Sequence, residues 1–444
     1  MNHELCINDK VKDFISKHLK DDVNKLALSK FPEDIDKQFV IRQIQARQVL
    51  SKKLPSWADN DELIFPKKLS LEQCSSELTA KYKTSLSSKL HEMTRKGFSE
   101  DSCDLADEKE ISADSCDLED KKRILVDLTG GMGVDTAFLS DNFDKTYYVE
   151  MQEELCEIAK HNFKILNKNI EVVNDNAEHF LTTCDEVDCI YLDPARRDEY
   201  GRKMVSLHDC SPDVVELHDI LLKKAKKVLV KVSPMLDIEM IKKELTDITE
   251  IHVIAVRNEC KEILLEIQKL KNSKTQNLRI LATDLRENWN FSFTEEEERD
   301  AQWTLADNVG KYLYEPGAAC MKAGCFKLLS QKFNIDKLHR NSHLYTSDEL
   351  VADFPGRIFE VVCAVPFDKK TKKEITSICQ QTTDNGQHTS SKSGSLKASV
   401  ATRNFPLSAD ELKKNLGLQD GNDFYIFGTT MKGEKKVVIL TKKN

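Results

Sequence analysis

Residues 124–136 read ILVDLTGGMGVDT. Three apolar residues, Ile124-Leu125-Val126, run into an acid, Asp127. A turn with glycines at 130, 131 and 133 follows, and a helical pattern opens at Val134. Glycine accepts positive φ and lets a backbone come close to a partner. The start of the helix beyond the glycines presents free N–H groups. A strand, a glycine turn and a helix in that order open an α/β unit, so this stretch sets the expected fold.

The texture downstream agrees. Short β-rich runs occur at Arg123–Asp127, Thr146–Glu150, Ile170–Asn174, Val187–Asp193, Lys227–Val232, Ile251–Val256 and Ile263–Ile267. Helical patterns lie between them at Thr136–Leu139, Gln152–Asn167 and Asp213–Lys224. Alternation of this kind, with Val/Ile/Leu-rich strands, implies a parallel sheet covered on both faces. The expected fold class is α/β, a Rossmann-like sheet of seven strands whose last two form a close pair across Arg257–Glu262. Upstream, residues 1–98 read as helical: Asn8 or Asp9 caps a first helix, a second spans Asp34–Ser51 until Leu54-Pro55 stops it, and Leu69–Leu90 is one further helical stretch.

The glycine turn also carries chemistry. Dinucleotide fingerprints place three glycines as G-x-G-x-x-G, whereas this loop is G-G-x-G with Thr136 where the last glycine belongs. Asp127 is a poor neighbour for a pyrophosphate and a good one for an ammonium group. Those two features favour S-adenosyl-L-methionine over NAD or flavin, with another glycine-rich α/β turn as the competing reading. The donor-site residues are then Asp127, Thr129, Gly130, Gly131, Gly133, Asp135 and Thr136. Glu150 ends the second strand about twenty residues on, where an acid takes ribose hydroxyls, and Met151 can pack on an adenine face. Asn176 and Ala177 follow the third strand, where a polar side chain reads the adenine amino group.

The fourth strand ends Tyr191-Leu192-Asp193-Pro194-Ala195-Arg196-Arg197. It resembles the [DNS]-P-P-[YFW] signature of amino-group methyltransferases. An amine in line with a methyl donor needs acceptors for its N–H bonds. Asp193 and the Pro194 carbonyl are the candidates, with Arg196 and Arg197 placed to hold a phosphate. Ala195 and Arg196 depart from that signature, which leaves a turn with solvated arginines as the plainer reading.

Charge locates a separate feature. The 444-residue chain carries a net charge of −9, and residues 99–120 alone hold ten acids against Lys109. The acidity is therefore a local linker or insertion, in which DSCDL occurs at 101–105 and 114–118. Residues 361–444 hold fourteen Lys and Arg against eight acids, a mildly basic tail fit to meet phosphates. No apolar run approaches the ~20 residues of a membrane span. The 13 cysteines show no CxxC pair or metal-ligand spacing. The expectation is a cytoplasmic protein with reduced thiols, no membrane segment and no metal site.

The chain resembles a family of bacterial class I methyltransferases that carry a THUMP-like domain behind a small ferredoxin-like segment. The matching stretches include LSLEQCSSELTAKYK (69–83), VDLTGGMGVDTAFLS (126–140), YVEMQEELCEIAKHNF (148–163), YLDPARRD (191–198), KVSPMLDI (231–238), YEPGAACMKAGCFKLL (314–329) and RNFPLSADELKKNLGL (403–418). The resemblance implies a helical region at 1–98, a methyltransferase domain at 121–272, a ferredoxin-like segment at 273–322 and a THUMP-like domain at 323–444. It also implies a methyl donor at the residues named above, Asp193 at the reaction centre and an RNA acceptor. A polar stretch at 380–396 reads as a loop within the last domain.

Other residues have two readings each. His339 and His343 either cover a site or are hydrogen-bonded structural histidines. The Glu72-Gln73-Ser75-Ser76-Glu77 cluster either closes over the donor site or forms a polar packing face. Cys189, four residues before Asp193, reads as sheet interior rather than nucleophile. A chain that keeps the fold only as a binding module is the functional alternative.

Overall fold

The computed structural model describes residues 7–96, 122–196, 206–269, 278–384 and 397–443. The acidic 99–120 stretch, Arg197 and residues 385–396 of the polar stretch lie outside the described residues. The chain divides into two compact units, Met1–Thr249 with Leu264–Ser273 and Glu250–Ile263 with Lys274–Asn444.

The first unit begins with helices α1 (Asp9–His18), α2 (Val23–Leu28), α3 (Lys37–Lys53), α4 (Pro55–Ala58), α5 (Lys68–Gln73) and α6 (Glu77–Lys96). Asn8, Asp22 and Asp36 cap the first three, each accepting from backbone N–H groups of the first turn. The second expected helix thus starts at Lys37, with Asp36 as its cap, rather than at Asp34. Pro55 does not leave a loop behind it; it takes the first position of α4, where its missing N–H costs nothing.

The single helix expected over Leu69–Leu90 is two. Cys74 is extended at ψ 156° and ends α5, and Ser76 restarts the chain by accepting from the Thr79 N–H at 3.3 Å. Serine competes for backbone hydrogen bonds and favours such breaks.

The extended segment before α5 is buried, so its backbone needs side-chain partners. Gln43 bonds both the N–H and the carbonyl of Phe65 at 2.9 Å. Asn162 does the same for Ile64 at 2.9 and 2.8 Å. Arg47 reaches the carbonyls of Asn60, Asp61 and Leu63. The apolar cluster beneath joins Leu50, Leu54, Trp57, Phe65 and Ala80 to Met132, Val134, Tyr148 and Phe163. The helical region and the glycine turn therefore share one core.

The α/β part follows as β1 (Ile124–Asp127), α7 (Val134–Leu139), β2 (Lys145–Glu150), α8 (Glu153–Ile165), β3 (Ile170–Asn174), α9 (Ala177–Thr183), β4 (Val187–Leu192), β5 (Ala195–Arg196), β6 (Cys210–Ser211), α10 (Val214–Lys224), β7 (Ala225–Val232), α11 (Ile238–Glu244), β8 (Ile248–Ala255) and β9 (Cys260–Ile267). β7, β4, β1, β2 and β3 lie side by side, all parallel. The chain winds outward to both sides of β1, so the carboxyl ends of β1, β2 and β4 border the crevice where open α/β sheets bind ligands.

In the second unit, Arg257 and Asn258 both have positive φ, 55° and 60°. They form the two-residue turn of a β8–β9 hairpin, closed by bonds between Val256 and Glu259. Within this unit β10 (Arg279–Asp284) pairs β8 in parallel, and β11 (Trp289–Thr294) pairs β10 antiparallel. Then come α12 (Glu295–Asp300), β12 (Tyr312–Pro316), α13 (Ala318–Ala323), α14 (Phe326–Phe333), β13 (Asp336–Lys337), β14 (Tyr345–Ser347), β15 (Gly356–Pro366), α15 (Thr371–Asp384), β16 (Lys397–Arg403), α16 (Ala409–Leu416), β17 (Gln419–Met431) and β18 (Lys435–Lys443). Their sheet has the order β13-β14-β12-β15-β18-β17-β16. Because α15 runs to Asp384, the first residues of the 380–396 stretch are helical and not loop.

No described helix is long and apolar enough to cross a membrane. The cysteines among the described residues are free thiols.

Candidate functional site

A cavity of about 220 Å³ opens where β1, β2, β3 and β4 end. Six acidic residues line it: Asp127, Asp135, Glu150, Asp175, Glu178 and Asp193. No lysine, arginine or histidine is among its described lining residues. Such a cleft attracts cations and repels a pyrophosphate.

The glycine turn forms one wall. Gly131 at φ 55° and Gly133 at φ 80° occupy the left-handed region that side chains disfavour. A Cβ on Gly130 would stand 2.3 Å from the Tyr148 ring, and one on Gly133 2.8 Å from Phe163. The glycines thus let the turn lie flat on two aromatic rings, and the Tyr148 hydroxyl donates to the Gly131 carbonyl at 2.6 Å. This packing role was not evident from the motif.

Asp127 is 1% exposed. Its carboxylate accepts from the Thr129 N–H at 3.0 Å and from the Thr136 hydroxyl at 2.5 Å. Burial pushes its pKa up to about 7, against the hydrogen bonds from Thr136 and Thr129 and with the nearby charges of Asp135 and Asp193. Thr136 does not line the cavity and acts through Asp127. The Thr129 hydroxyl accepts from the Asp193 N–H at 2.6 Å, tying the ends of β1 and β4 together.

Glu150 accepts from the Gly131 N–H at 3.0 Å and the Gln152 N–H at 2.9 Å, one on each oxygen. Each oxygen keeps a lone pair for a ligand hydroxyl. Met151 lines the cavity with 69% of its surface exposed. The Asn176 side chain caps α9 through the His179 N–H at 2.7 Å, and Ala177 lies beside it. Asp175, which the sequence reading passed over, also lines the cavity; its hydrogen bond to His179 at 2.6 Å holds its pKa below the usual carboxylate value.

The floor beside Asp193 is a buried charge cluster. Asp135 accepts from the Tyr191 hydroxyl at 2.6 Å and the Ser75 hydroxyl at 2.7 Å. Lys83 lies 3.3 Å away with its side chain fully buried, and Lys231 3.8 Å away at 11% exposed. Lys231 also pairs with Asp193, whose side chain is 33% exposed. Although burial works against ionisation, the two ammonium groups and the bonds from Tyr191 and Ser75 hold the Asp135 pKa below normal. Burial raises that of Asp193, and Lys231 opposes the rise.

Neither lysine was singled out from sequence, yet each left a signal. Lys231 interrupts the apolar run Val228-Leu229-Val230, and Lys83 falls on the α6 face that buries Thr79, Ala80, Leu86 and Ser87.

Other candidates separate. Ser70, Gln73, Cys74 and Ser75 line the cavity, so the break between α5 and α6 reaches the site; Glu72, Ser76 and Glu77 do not line it. Pro194 adjoins the lining residues Asp193 and Ala195 without lining the cavity itself. Arg196 pairs with Cys210 across β5 and β6. Cys189 is 1% exposed and burial lifts its thiol to about 12, which rules it out as a ready nucleophile. His339 bonds Glu434 and Asn404. His343 stacks on Phe326, and burial lowers its pKa to about 4. Both histidines have their partners within the second unit.

Comparison with known proteins gives three findings. A family model described as a ferredoxin-like domain matches residues 312–355, and one described as THUMP domain-like matches 388–443. A crystal structure of a "putative methyltransferase" from Porphyromonas gingivalis W83 is 30% identical, covers 99% of this chain and 100% of that one, and superposes with a TM-score of 0.78. An rRNA methylase from Streptococcus thermophilus (18% identity, 34% of this chain, 89% of that one, TM-score 0.26) and a "putative methyltransferase" from Streptococcus mutans in complex with SAH (19%, 34%, 90%, 0.27) are also similar. At these scores the last two bear on neither substrate nor cofactor. No curated protein matches the chain.

Proposed function

Since the chain belongs to the same family as the Porphyromonas gingivalis methyltransferase, we propose that it is an S-adenosyl-L-methionine-dependent methyltransferase whose acceptor is RNA. The observation that carries this reading is the cleft itself: at the carboxyl edge of a parallel sheet, six carboxylates and no cation are among its described lining residues. A ligand bearing a sulfonium and an ammonium fits that field, and a dinucleotide does not.

In this reading Asp127 holds the donor's ammonium, with Thr129, Gly130, Gly131, Gly133 and Asp135 shaping the turn around it. Glu150 takes the ribose hydroxyls, Met151 covers the adenine face, and Asn176 and Ala177 meet its edge. The bound donor supplies an electrophilic methyl group. Asp193 and the Pro194 carbonyl accept N–H bonds from the acceptor and fix its direction of approach, while Arg196 and Arg197 serve a phosphate. Residues 121–272 form the catalytic domain, and the ferredoxin-like segment matched at 312–355 and the THUMP-like segment matched at 388–443 take the RNA. The matched THUMP-like segment and the basic tail support the last assignment.

Calorimetric titration with S-adenosylhomocysteine, with NAD in parallel, tests the donor site. Saturable binding of the first alone is expected; binding of NAD or of neither would overturn the assignment. Methyl transfer from tritiated donor to total RNA tests the acceptor, and label in protein instead of RNA would redirect it.

A further inference from the structure

Among the described residues, Lys231 is the cation that forms an ion pair with Asp193. It sits on β7 between Val230 and Val232, both buried. Burying an ammonium is costly unless carboxylates face it closely. Here they do. Asp135 from α7 lies 3.8 Å away, and Asp193 at the end of β4 is in direct contact. The Ser75 hydroxyl accepts from Lys231 at 3.3 Å and from Lys83 at 3.1 Å while donating to Asp135.

We propose that Lys231 is the positioning residue of Asp193, pinning Oδ2 so that Oδ1 faces the cleft as a fixed acceptor for a substrate N–H. Among the described residues nothing donates to Oδ1. The proposal rests on the methyltransferase reading and narrows it. A carboxylate paired to an ammonium accepts hydrogen bonds and does not donate them. The acceptor must therefore present an N–H, as an exocyclic nucleobase amine does, rather than a bare ring nitrogen or a carbon.

The anchor for Lys231 comes from three parts of the first unit: Ser75 at the α5–α6 break, Lys83 on α6 and Asp135 on α7. Among the described residues the other ionisable groups around Asp193 are Asp127 on β1 and Tyr191 on β4, and both are committed elsewhere, to Thr136 and to Asp135. Removing the ammonium leaves Asp193 among Asp135 and Asp127 with only the more distant Lys83 to offset them. Its proton then leaves at higher pH.

The test uses the full chain, with S-adenosylhomocysteine for binding and total RNA from cells lacking the enzyme as acceptor. Lys231→Met is expected to lower kcat by about 30-fold or more and to move the acid limb of the kcat profile up by roughly one pH unit. Affinity for S-adenosylhomocysteine stays within about 3-fold. Lys231→Arg, which keeps the charge, recovers most of the rate and the original limb. If Lys231→Met does not fold, Lys231→Gln, which retains a donor without the charge, must show the same displaced limb. An unchanged rate and limb overturns the proposal, as does a loss confined to donor affinity. A wild-type chain that binds no S-adenosylhomocysteine and labels no RNA would sink the methyltransferase reading itself, a different result from a working enzyme indifferent to Lys231.

Discussion

Asp135 in the first unit and Glu315 in the second are both buried carboxylates between two cations, and they end differently. Glu315, 2% exposed, takes Arg357 on one oxygen and Arg403 at 2.9 Å on the other, and the charges stop there. Asp135 takes Lys83 and Lys231, but Lys231 goes on to Asp193, which opens on the cleft. The cation type accounts for part of this. Here each planar guanidinium is spent on Glu315, whereas Lys231, a point charge with three donors, serves two carboxylates. The arginine cluster closes a fold, and the lysine cluster carries the fold's rigidity to the wall of the cleft.

Substitutions can break the comparison. The largest effect is expected at Asp193: Asp193→Ala spares S-adenosylhomocysteine binding and lowers kcat by about 10³-fold, read by tritium transfer to RNA. An unaffected rate would put Asp193 outside the chemistry. Glu315→Ala leaves two arginines facing each other and costs about 3–5 kcal/mol in urea unfolding, with donor binding unchanged where the protein is folded. A loss of donor affinity in the folded variant would mean the arginine cluster is not purely structural.

Lys83→Met tests whether the lysine cluster is one device. It should cost about 3 kcal/mol of stability and lower kcat as well, because Ser75 and Asp135, which hold Lys231, would lose the ammonium that fixes them from the other side. A stability loss with normal kcat would separate Lys83 from the site.

Asp127 sharpens the electrostatic argument. Its pKa lies near 7 when folded against an ordinary 3.8, so the folded state binds this proton more tightly than the unfolded chain. Ionising it therefore costs stability as pH rises from about 4 to about 7. Asp127→Asn should raise the melting temperature of the ligand-free protein at pH 8 and leave it nearly unchanged at pH 4, while donor binding is lost. In the wild type, affinity for a cationic donor should rise through pH 7, because the ionised carboxylate is the binding form. A pH-independent affinity would contradict Asp127 as the ammonium's partner. The smallest effect is expected for Cys189→Ala, with kcat within about 2-fold.

Much of the site was legible because strand ends in a parallel sheet share one edge. Asp127, Glu150 and Asp193 each close a β-rich run and Asn176 follows one by two residues, so their convergence followed once the strands were read in order. The lysines were not legible in that way. A charge inside an apolar run announces a partner but not which one. Lys83 lies 52 residues before Asp135 in the chain, and Lys231 lies 96 residues after it. The α5–α6 break was hidden for a different reason: EQCSSE fits a polar helical turn locally, and only the demand for Ser75 beside Asp135 selects the interruption.

The sequence by itself determined the alternation of strand and helix, the glycine turn and the acids at the strand ends, because periodicity, φ preference and chain order are local properties. Tertiary structure alone decided that the N-terminal helices share a core with the glycine turn, that the glycines make room for Tyr148 and Phe163, and that Lys231 meets Asp193. The physical reason is that the cost of burying a charge is settled by whichever opposite charge the completed fold brings within reach.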